Sequence, residues 1–276
     1  MIQQALVRSG YKVSADGVYG QKTADAVRAF QMANGLRPVD GVVGSVTMAR
    51  LMAASVAVSG TVSGGSATTN GTKPSAAATE TVSITNGYIN KHITFCVGRP
   101  LKYIAIHYTA GSTSRRGSAL STRNVFLSRS ASADFVVDDE QVVQINPDIR
   151  NYYCWAVGDK KNPYGGGGRL YGVATNKNTI SIEICSSRQS GTTAAVPNHA
   201  GWYFTSKALD KALLLVRYLM RRYGIPKSNV VRHYDISGKL CPGVIGWNDG
   251  DVYTTEGRTT GRKSDSGQWR AFWERI

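Results

Sequence analysis

Apolar residues recur along this chain with two different periods, helical near its start and strand-like after residue 82. In the first part, Val27, Phe30 and Gln31 share one face of a segment that stops at Gly35, a residue type common just after a helix. A shorter helix precedes it, with apolar residues at Ile2, Leu6 and Val7. The apolar residues of MARLM predict another short helix. Residues 1–54 therefore predict a small all-α, three-helix domain.

Strand-like alternation dominates the rest of the chain. In LKYIAIHYT, at 101–109, His107 lies on the face opposite Ile104 and Ile106. In TISIEI, at 179–184, Ser181 and Glu183 likewise lie opposite three isoleucines. An unpaired buried carboxylate costs free energy, so we expect Glu183 to face a cleft or a partner.

Other patterns complete the picture of residues 82–276. DFVV and QVVQI flank a turn at 138–140 and predict a hairpin. The span Lys207–Tyr223 carries an apolar stripe between a possible cap at Thr205 or Ser206 and a stop at Gly224. A last helix places three aromatic residues on a packing face, Trp269, Phe272 and Trp273. This part predicts an α/β fold with a mixed central β-sheet flanked by helices.

A segment of simple composition separates the two parts. Of the 27 residues from 55 to 81, 20 are Ser, Thr, Gly or Ala, and none is Leu, Ile, Met or aromatic. Such a segment cannot bury enough apolar surface to offset the entropy lost on ordering. We therefore predict a flexible linker at 55–81 between domains at 1–54 and 82–276.

One motif occurs twice in the first 54 residues. DGVYGQKT begins at Asp16 and DGVVGSVT at Asp40, and each combines a turn-forming Asp-Gly with a Thr that can cap a helix. With Gly10-Tyr11 and Phe30-Gln31, these copies form a pattern that resembles the small peptidoglycan-binding domain. The resemblance implies bacterial peptidoglycan as a partner, but it does not identify the binding residues.

Charge narrows the choice of partners. The formal net charge is +15, and residues 82–276 hold 26 basic and 14 acidic residues. This excess favours a polyanionic partner. The basic residues form no dense run, helix-turn-helix or RNP motif, so we predict no nucleic-acid partner. On charge alone, an anionic cell wall fits this excess of positive charge as well as a nucleic acid would.

The sequence also limits the location of the protein. No apolar run of about 18 residues occurs, so we predict no membrane span. The first residues lack a secretory signal, which favours synthesis in a host cytoplasm and action on the wall after release, or export by another route. Three cysteines are expected to be free, buried thiols, namely Cys96, Cys154 and Cys185. The sequence makes no prediction of oligomeric state.

The segment RHYDISGKLCPG carries the most distinctive chemistry. It places His233 and Cys241 close in sequence, and His107, at the end of a predicted strand, is a candidate third ligand. Two imidazoles and a thiolate suit Zn²⁺, and three protein ligands leave one coordination position open, as in catalytic sites. Singly, each residue also has an ordinary explanation, as a satisfied polar residue or a buried thiol. Convergence requires that the strands carrying the two histidines lie close in one sheet.

Several separated motifs occur together in one order. YIAIHYTAG, DFVVDDEQVVQI, CWAVGD, NTISIEIC and RHYDISGKLCPG resemble the zinc-dependent N-acetylmuramoyl-L-alanine amidases of the peptidoglycan-recognition-like family. The resemblance runs from about residue 88 to the C-terminus. It implies an enzyme of phage endolysin type, a peptidoglycan hydrolase that cleaves the amide between N-acetylmuramic acid and L-alanine.

The resemblance also implies roles for individual residues. His107, His233 and Cys241 match the zinc ligands, Glu183 the general base for the attacking water, and Lys239 the stabiliser of the oxyanion. Asp235 matches a residue in the shell behind the ligands. The expected substrate contacts are Tyr108, Thr109 and Trp155.

The chain departs from the family pattern at two places. Ala156 stands where related amidases commonly have His in AWHxG, and SADF, with Ala133 and Asp134, replaces SAHY or SYHF. Neither position is a ligand, so the departures bear on substrate contacts near Trp155 and Asp134. They leave metal binding unaffected.

Two alternative functions remain at this stage. A peptidoglycan-recognition protein that binds without catalysis would share the fold, although it has no use for the zinc triad, Glu183 and Lys239. A zinc peptidase that cuts cross-links would share the wall-binding module, but such enzymes use a different ligand pattern. The role of the segment 244–265 has no sequence signature.

Overall fold

The computed structural model describes residues 2–16, 19–36, 39–44, 46–48, 50–51, 82–111, 113–158, 167–190, 196–254 and 258–276. The chain divides into two compact units, residues 1–77 and 78–276. The linker predicted at 55–81 lies outside the described residues. None of the described helices is long and apolar enough to cross a membrane.

The N-terminal unit is helical. Helix α1 spans Ile2–Arg8, α2 spans Gln21–Ala33, and residues 46–48 and 50–51 are also helical. Its buried core contains Ala5, Leu6, Ala26, Val27, Phe30 and Leu51. The predicted short helix through Ile2, Leu6 and Val7 is present as α1, and Val7 lies on its exposed side.

Hydrogen bonds explain the repeated motif. The Gln3 side-chain amide donates to the carboxylate of Asp16 at 2.7 Å and to the Thr23 hydroxyl at 3.0 Å. In the second copy, Gln31 donates to Asp40 at 2.9 Å and to Thr47 at 3.3 Å. The expected cap was therefore wrong for Thr23, which lies inside α2 and accepts a bond from α1. In both copies the Asp carboxylate is tied to a glutamine on a preceding helix.

The second unit is built on a six-stranded mixed sheet with the order β1-β5-β4-β7-β3-β10. Its strands are β1 Ile84–Asn86, β3 Tyr103–Tyr108, β4 Phe135–Val137, β5 Val142–Gln144, β7 Thr179–Ile184 and β10 Val230–Arg232. Only the β4–β5 hairpin is antiparallel in this sheet, and the other neighbours are parallel. The α/β prediction with a mixed central sheet is confirmed, as are both long strands and the hairpin.

The described residues of this unit also form three two-stranded sheets and four helices. The small sheets pair β2 Ile93–Phe95 with β6 Tyr152–Cys154, β8 Ser187–Arg188 with β9 Trp202–Tyr203, and β11 Asp251–Tyr253 with β12 Thr259–Lys263. The helices are α3 Ser118–Ser128, α4 Ser206–Tyr223, α5 His233–Ser237 and α6 Gly267–Glu274, and a 3-10 turn spans Lys227–Asn229. As predicted, Thr205 caps α4 through the backbone N–H of Ala208, and Gly224 ends it in a left-handed conformation.

The sheet has helices on both faces. On one face, the isoleucines of β3 and β7 pack with α4 and with the aromatic residues of α6 in the largest core cluster. On the other face, Val136 and Val143 pack against α3, while Ala105 and Val231 pack with Ile236 of α5. His107 and Glu183 belong to this second face because side chains alternate along a strand.

A buried ion pair fixes one end of the sheet. Asp134 is fully buried, and its carboxylate lies 3.0 Å from the Arg99 guanidinium. It also accepts hydrogen bonds from the Asn146 amide at 2.7 Å and the Ser181 backbone N–H at 2.8 Å. Asp134, at one of the two departures from the family pattern, thus holds β4 to β7 from within the core. Two of the three predicted buried thiols, Cys154 and Cys185, are buried, and Cys96 is half-buried.

Candidate metal centre and its cleft

Two neighbouring strands bring the first site residues together. His107 of β3 lies directly across from Glu183 of β7 in parallel register. Residues opposite each other in neighbouring strands point to the same face, so the imidazole and the carboxylate share one side of the sheet. Since β7 lies between β3 and β4, this pair occupies the centre of the sheet.

The remaining ligands come from the other neighbour of β3. Strand β10 lies parallel to β3, and His233 begins α5 immediately after it. After α5 ends, the chain returns and places the Cys241 thiol 3.7 Å from Nδ1 of His107. The three potential ligand atoms all lie within 4.8 Å of one another, and all three residues are buried. The strand convergence expected from the sequence is therefore present.

The polar atoms of this cluster fit a bound cation. His233 Nε2 lies 3.0 Å from the carbonyl of Val157, so this nitrogen carries the proton and leaves the Nδ1 lone pair available. His233 Nδ1 is buried without a hydrogen-bond partner among the described residues, and so are His107 Nε2 and Glu183 Oε2. Unpaired buried polar atoms are costly, and a cation held by two nitrogens and a sulfur accounts for them. The donor set and the burial fit Zn²⁺.

The protonation states of the ligands follow from burial and nearby charge. Burial, followed by the positive charge of Lys239, lowers the pKa of His233 to about 3. Burial, His233 and Lys239 also lower the pKa of His107 well below its ordinary value. Both imidazoles are therefore neutral at pH 7, as metal ligands require. Burial and Glu183 raise the pKa of the Cys241 thiol to about 12, so the metal-free protein holds it protonated.

Glu183 has an unusual environment for a carboxyl group. Burial raises its pKa to about 8, although the charges of Lys239 and Arg129 oppose this shift. A carboxyl whose pKa lies near neutrality can both accept and return a proton under physiological conditions. Lys239 is exposed at the edge of the same cleft and has no ion-pair partner among the described residues.

Asp235 acts on the backbone that carries His233. Its carboxylate lies 2.8 and 2.9 Å from two guanidinium nitrogens of Arg232 and accepts the Arg232 backbone N–H at 2.9 Å. Burial raises the pKa of Asp235, but the hydrogen bonds and charge of Arg232 outweigh this effect and hold it below the ordinary value. No hydrogen bond joins Asp235 to a ligand imidazole in the described part of the chain. The residue thus fixes the start of α5 through Arg232, and its carboxylate also lies 3.6 Å from the Arg169 guanidinium.

All five central residues line one cleft of about 860 Å³, namely His107, Glu183, His233, Lys239 and Cys241. The three expected substrate contacts, Tyr108, Thr109 and Trp155, also line it. Trp155 is 41% exposed, yet its indole N–H donates to Thr94 at 2.8 Å and its ring lies 5.5 Å from that of His92. Tyr108 packs edge-on against Trp202. Ala156 lines the cleft, so the departure from the His of AWHxG changes its surface.

Sequence reasoning missed several groups of the site. The Val157 carbonyl orients His233, and a backbone acceptor has no sequence signature. Arg129, just after α3, and Tyr253, in the segment 244–265, both line the cleft. Neither belongs to a motif, and chain folding alone brings them to the site.

Comparison with known proteins agrees with this geometry. The sequence profile described as N-acetylmuramoyl-L-alanine amidase matches residues 97–244, which contain every residue of the metal cluster. The chain belongs to the N-acetylmuramoyl-L-alanine amidase family. A second profile, described as a peptidoglycan binding domain, matches residues 1–51.

Individual relatives of this amidase-family chain are known. CwlA of Bacillus subtilis (strain 168), an N-acetylmuramoyl-L-alanine amidase, is 34% identical over 146 residues, which are 52% of this chain and 44% of CwlA. XlyB of the same organism and description is 33% identical over 141 residues, 51% of this chain and 37% of XlyB. The solved catalytic domain of XlyA aligns with 71% of this chain and 99% of its own, at 24% identity and a TM-score of 0.46. The matched region is less than half the length of either curated relative.

Zinc binding to this amidase-family site is expected to release protons. At pH 7 the ion displaces the thiol proton of Cys241 and much of the Glu183 proton, because the pKa values of these groups are about 12 and 8. The neutral histidines contribute none. We expect release of one to two protons per zinc. For each proton released, zinc should bind about tenfold more tightly per unit rise in pH. The control variant Cys96→Ser should release the same number of protons. Calorimetry in buffers of different ionisation enthalpy measures the release, and a value of zero would exclude Cys241 as a ligand.

Proposed function

We propose that this protein is a zinc-dependent peptidoglycan hydrolase that cleaves the amide between N-acetylmuramic acid and L-alanine. The observation that carries the proposal is the convergence of His107, His233 and Cys241 beside Glu183 in one cleft. Membership of the amidase family and sequence similarity to bacterial amidases support it. A protein that only bound peptidoglycan would gain nothing from a half-buried carboxyl beside a set of metal ligands, with its Oε2 lacking a hydrogen-bond partner among the described residues.

The ligands and the base have separate tasks. Zn²⁺ at His107, His233 and Cys241 would supply Lewis acidity, which polarises the amide carbonyl and acidifies water. Glu183 takes the proton from the attacking water and returns it to the departing L-Ala amine, and general catalysis of this kind contributes about 10²–10⁴-fold. The Val157 carbonyl and the Asp235–Arg232 pair hold His233 in place. The Lys239 ammonium group has no ion-pair partner among the described residues, so it is available to stabilise the charge that develops on the carbonyl oxygen.

Substrate recognition involves both units. Tyr108, Thr109 and Trp155 contact the substrate in the cleft, where Trp155 offers a fixed aromatic surface. The N-terminal unit binds peptidoglycan and keeps the catalytic unit close to its substrate, since tethering raises the local concentration of the second unit. The net charge of +15 favours the anionic wall. We further propose a phage-type endolysin, made in a host cytoplasm and acting on the wall after release.

Digestion of purified peptidoglycan tests this function. Mass spectrometry should detect glycan strands with free lactyl carboxylates and intact stem peptides with a new L-Ala amine. A chelator should abolish these products, and added zinc should restore them. New reducing ends would indicate a glycosidase and cleaved cross-bridges a peptidase, and either result in place of the expected products would refute the amidase.

A further inference from the structure

One wall of the cleft comes from a segment beyond the family match. The amidase profile ends at residue 244, whereas Tyr253 of β11 lines the same cleft as the metal cluster. Val196 and Pro197 line the cleft with it, and Leu240 contributes from the segment that carries Cys241. Through Tyr253, the segment 244–265, which has no sequence signature, contributes to the lining of the site.

This wall is held by a buried amide pair. The side chains of Asn198 and Asn248 are fully buried and donate to each other at 2.7 and 2.8 Å. Asn248 also donates to the carbonyl of Pro242 at 2.7 Å, directly beside Cys241. The backbone N–H of Tyr253 donates to the carbonyl of Asn198 at 3.3 Å. The position of Tyr253 is therefore fixed relative to the metal cluster.

A close contact reinforces this placement. A Cβ atom at Gly250 would lie 2.0 Å from Cδ2 of Leu240, so β11 begins where only a glycine allows the two segments to meet. The backbone N–H of Ser264, directly after β12, donates to the carbonyl of Gly250, directly before β11, at 2.8 Å. This bond joins the two strand ends of the hairpin. The hairpin rests on the segment that carries Lys239 and Cys241.

The groups that line the cleft differ in chemistry. Helix α3 and the residue after it contribute three hydroxyl groups, two apolar side chains and a cation, namely Ser118, Ser121, Thr122, Val125, Phe126 and Arg129. Around Tyr253, whose backbone N–H donates to Asn198, the lining is aromatic and aliphatic, with Val196 and Pro197. The Arg129 guanidinium suits a carboxylate of the stem peptide. The apolar C–H face of a pyranose suits the ring of Tyr253.

We propose that Tyr253 packs against the muramoyl sugar and makes this enzyme prefer substrates that carry it. The proposal rests on the proposed amidase function and assigns the glycan side of that site. Tyr253 is a specificity-determining contact, and it takes no part in the proton transfers. It is half-buried at the rim of the cleft, so truncation removes a surface contact and leaves the core intact.

Two soluble substrates of one peptide sequence test the assignment. One is N-acetylmuramoyl-L-alanyl-D-isoglutamine, and the other is D-lactoyl-L-alanyl-D-isoglutamine, which keeps the scissile amide but lacks the sugar. For zinc-loaded full-length protein, we expect Tyr253→Ala to lower kcat/KM about tenfold on the muramoyl substrate, mainly through KM, and less than twofold on the lactoyl substrate. Tyr253→Phe, which keeps the ring, should stay within about twofold of wild type on both. Tyr203→Ala, at an exposed tyrosine outside the cleft, is the matched control.

Other outcomes would overturn the assignment. These are an equal loss on both substrates, no loss for Tyr253→Ala, or a loss for Tyr253→Phe as large as that for Tyr253→Ala. If wild-type protein cleaves neither substrate nor whole peptidoglycan, the amidase function fails independently. Calorimetry of the uncleaved muramoyl dipeptide then decides the contact, since binding about tenfold weaker in Tyr253→Ala supports it and equal binding refutes it.

Discussion

Replacement of Glu183 by glutamine is expected to reduce amide hydrolysis by about 10²–10⁴-fold while zinc stays bound. The amide side chain has the same shape but cannot accept the proton of the attacking water. The fold should tolerate the change. The pKa of Glu183 in the folded protein, about 8, lies above its ordinary value of 4.5, so the fold disfavours the ionised carboxylate as the pH rises through this range. A neutral amide removes that unfavourable charge.

Three measurements on the same preparation identify the cause of the loss. These are kcat on purified peptidoglycan fragments, zinc content per chain, and the thermal unfolding midpoint. Glu140→Gln, an exposed carboxylate in the β4–β5 turn of the same sheet, should behave as wild type in all three. Full activity in Glu183→Gln with zinc bound would disprove the assignment of the base. Loss of zinc or a lower midpoint would assign Glu183 a structural role.

Replacement of Cys241 by alanine is expected to remove both the metal and the activity. Zinc sites with four ligands bind with about 10–16 kcal/mol, so one lost ligand costs about 3–4 kcal/mol, roughly a few hundredfold in affinity. The two remaining imidazoles cannot retain zinc through dialysis against a weak chelator. Elemental analysis should then find less than about one tenth of the wild-type zinc, and no hydrolysis should be detectable.

Cys96→Ala is the matched control for this change. Cys96 is also a free cysteine, it is half-buried, and it does not line the cleft. This variant should keep its full zinc content and activity. If Cys241→Ala kept both as well, the thiolate would not be a ligand, and a site formed by the two histidines alone would have to account for metal binding.

The sequence predicted the strands of the site because their pattern is local. The alternation in LKYIAIHYT and TISIEI places His107 and Glu183 opposite isoleucines, and the structure has strands in both segments, at Tyr103–Tyr108 and Thr179–Ile184. The parallel pairing of β3 with β10 is not local, since more than a hundred residues separate the two strands. The sequence therefore stated only the requirement that these strands be close, and the sheet order fulfils it.

The errors arose where a residue acts through a distant partner. Thr23 has the local features of a cap, but its hydroxyl accepts a hydrogen bond from Gln3, twenty residues earlier. Asp134 departs from the family pattern without a local clue to its role, and its partner Arg99 lies 35 residues away. The fixation of Asp235 by Arg232 is local, but the sequence does not reveal which of several cations nearby makes this contact. Tyr253 has no pattern at all, and the buried asparagine pair that positions it joins residues fifty positions apart.

The distance along the chain between the ligands has a consequence for biosynthesis. His107 and Cys241 are 134 residues apart, and His233 enters the site only when β10 has paired with β3 at the edge of the sheet. A nascent chain that has not passed residue 241 has an incomplete ligand set, whatever zinc is present. Under the proposed function, binding of the metal would therefore report that β10 has docked, and a chain that ends before residue 241 would lack a complete catalytic site.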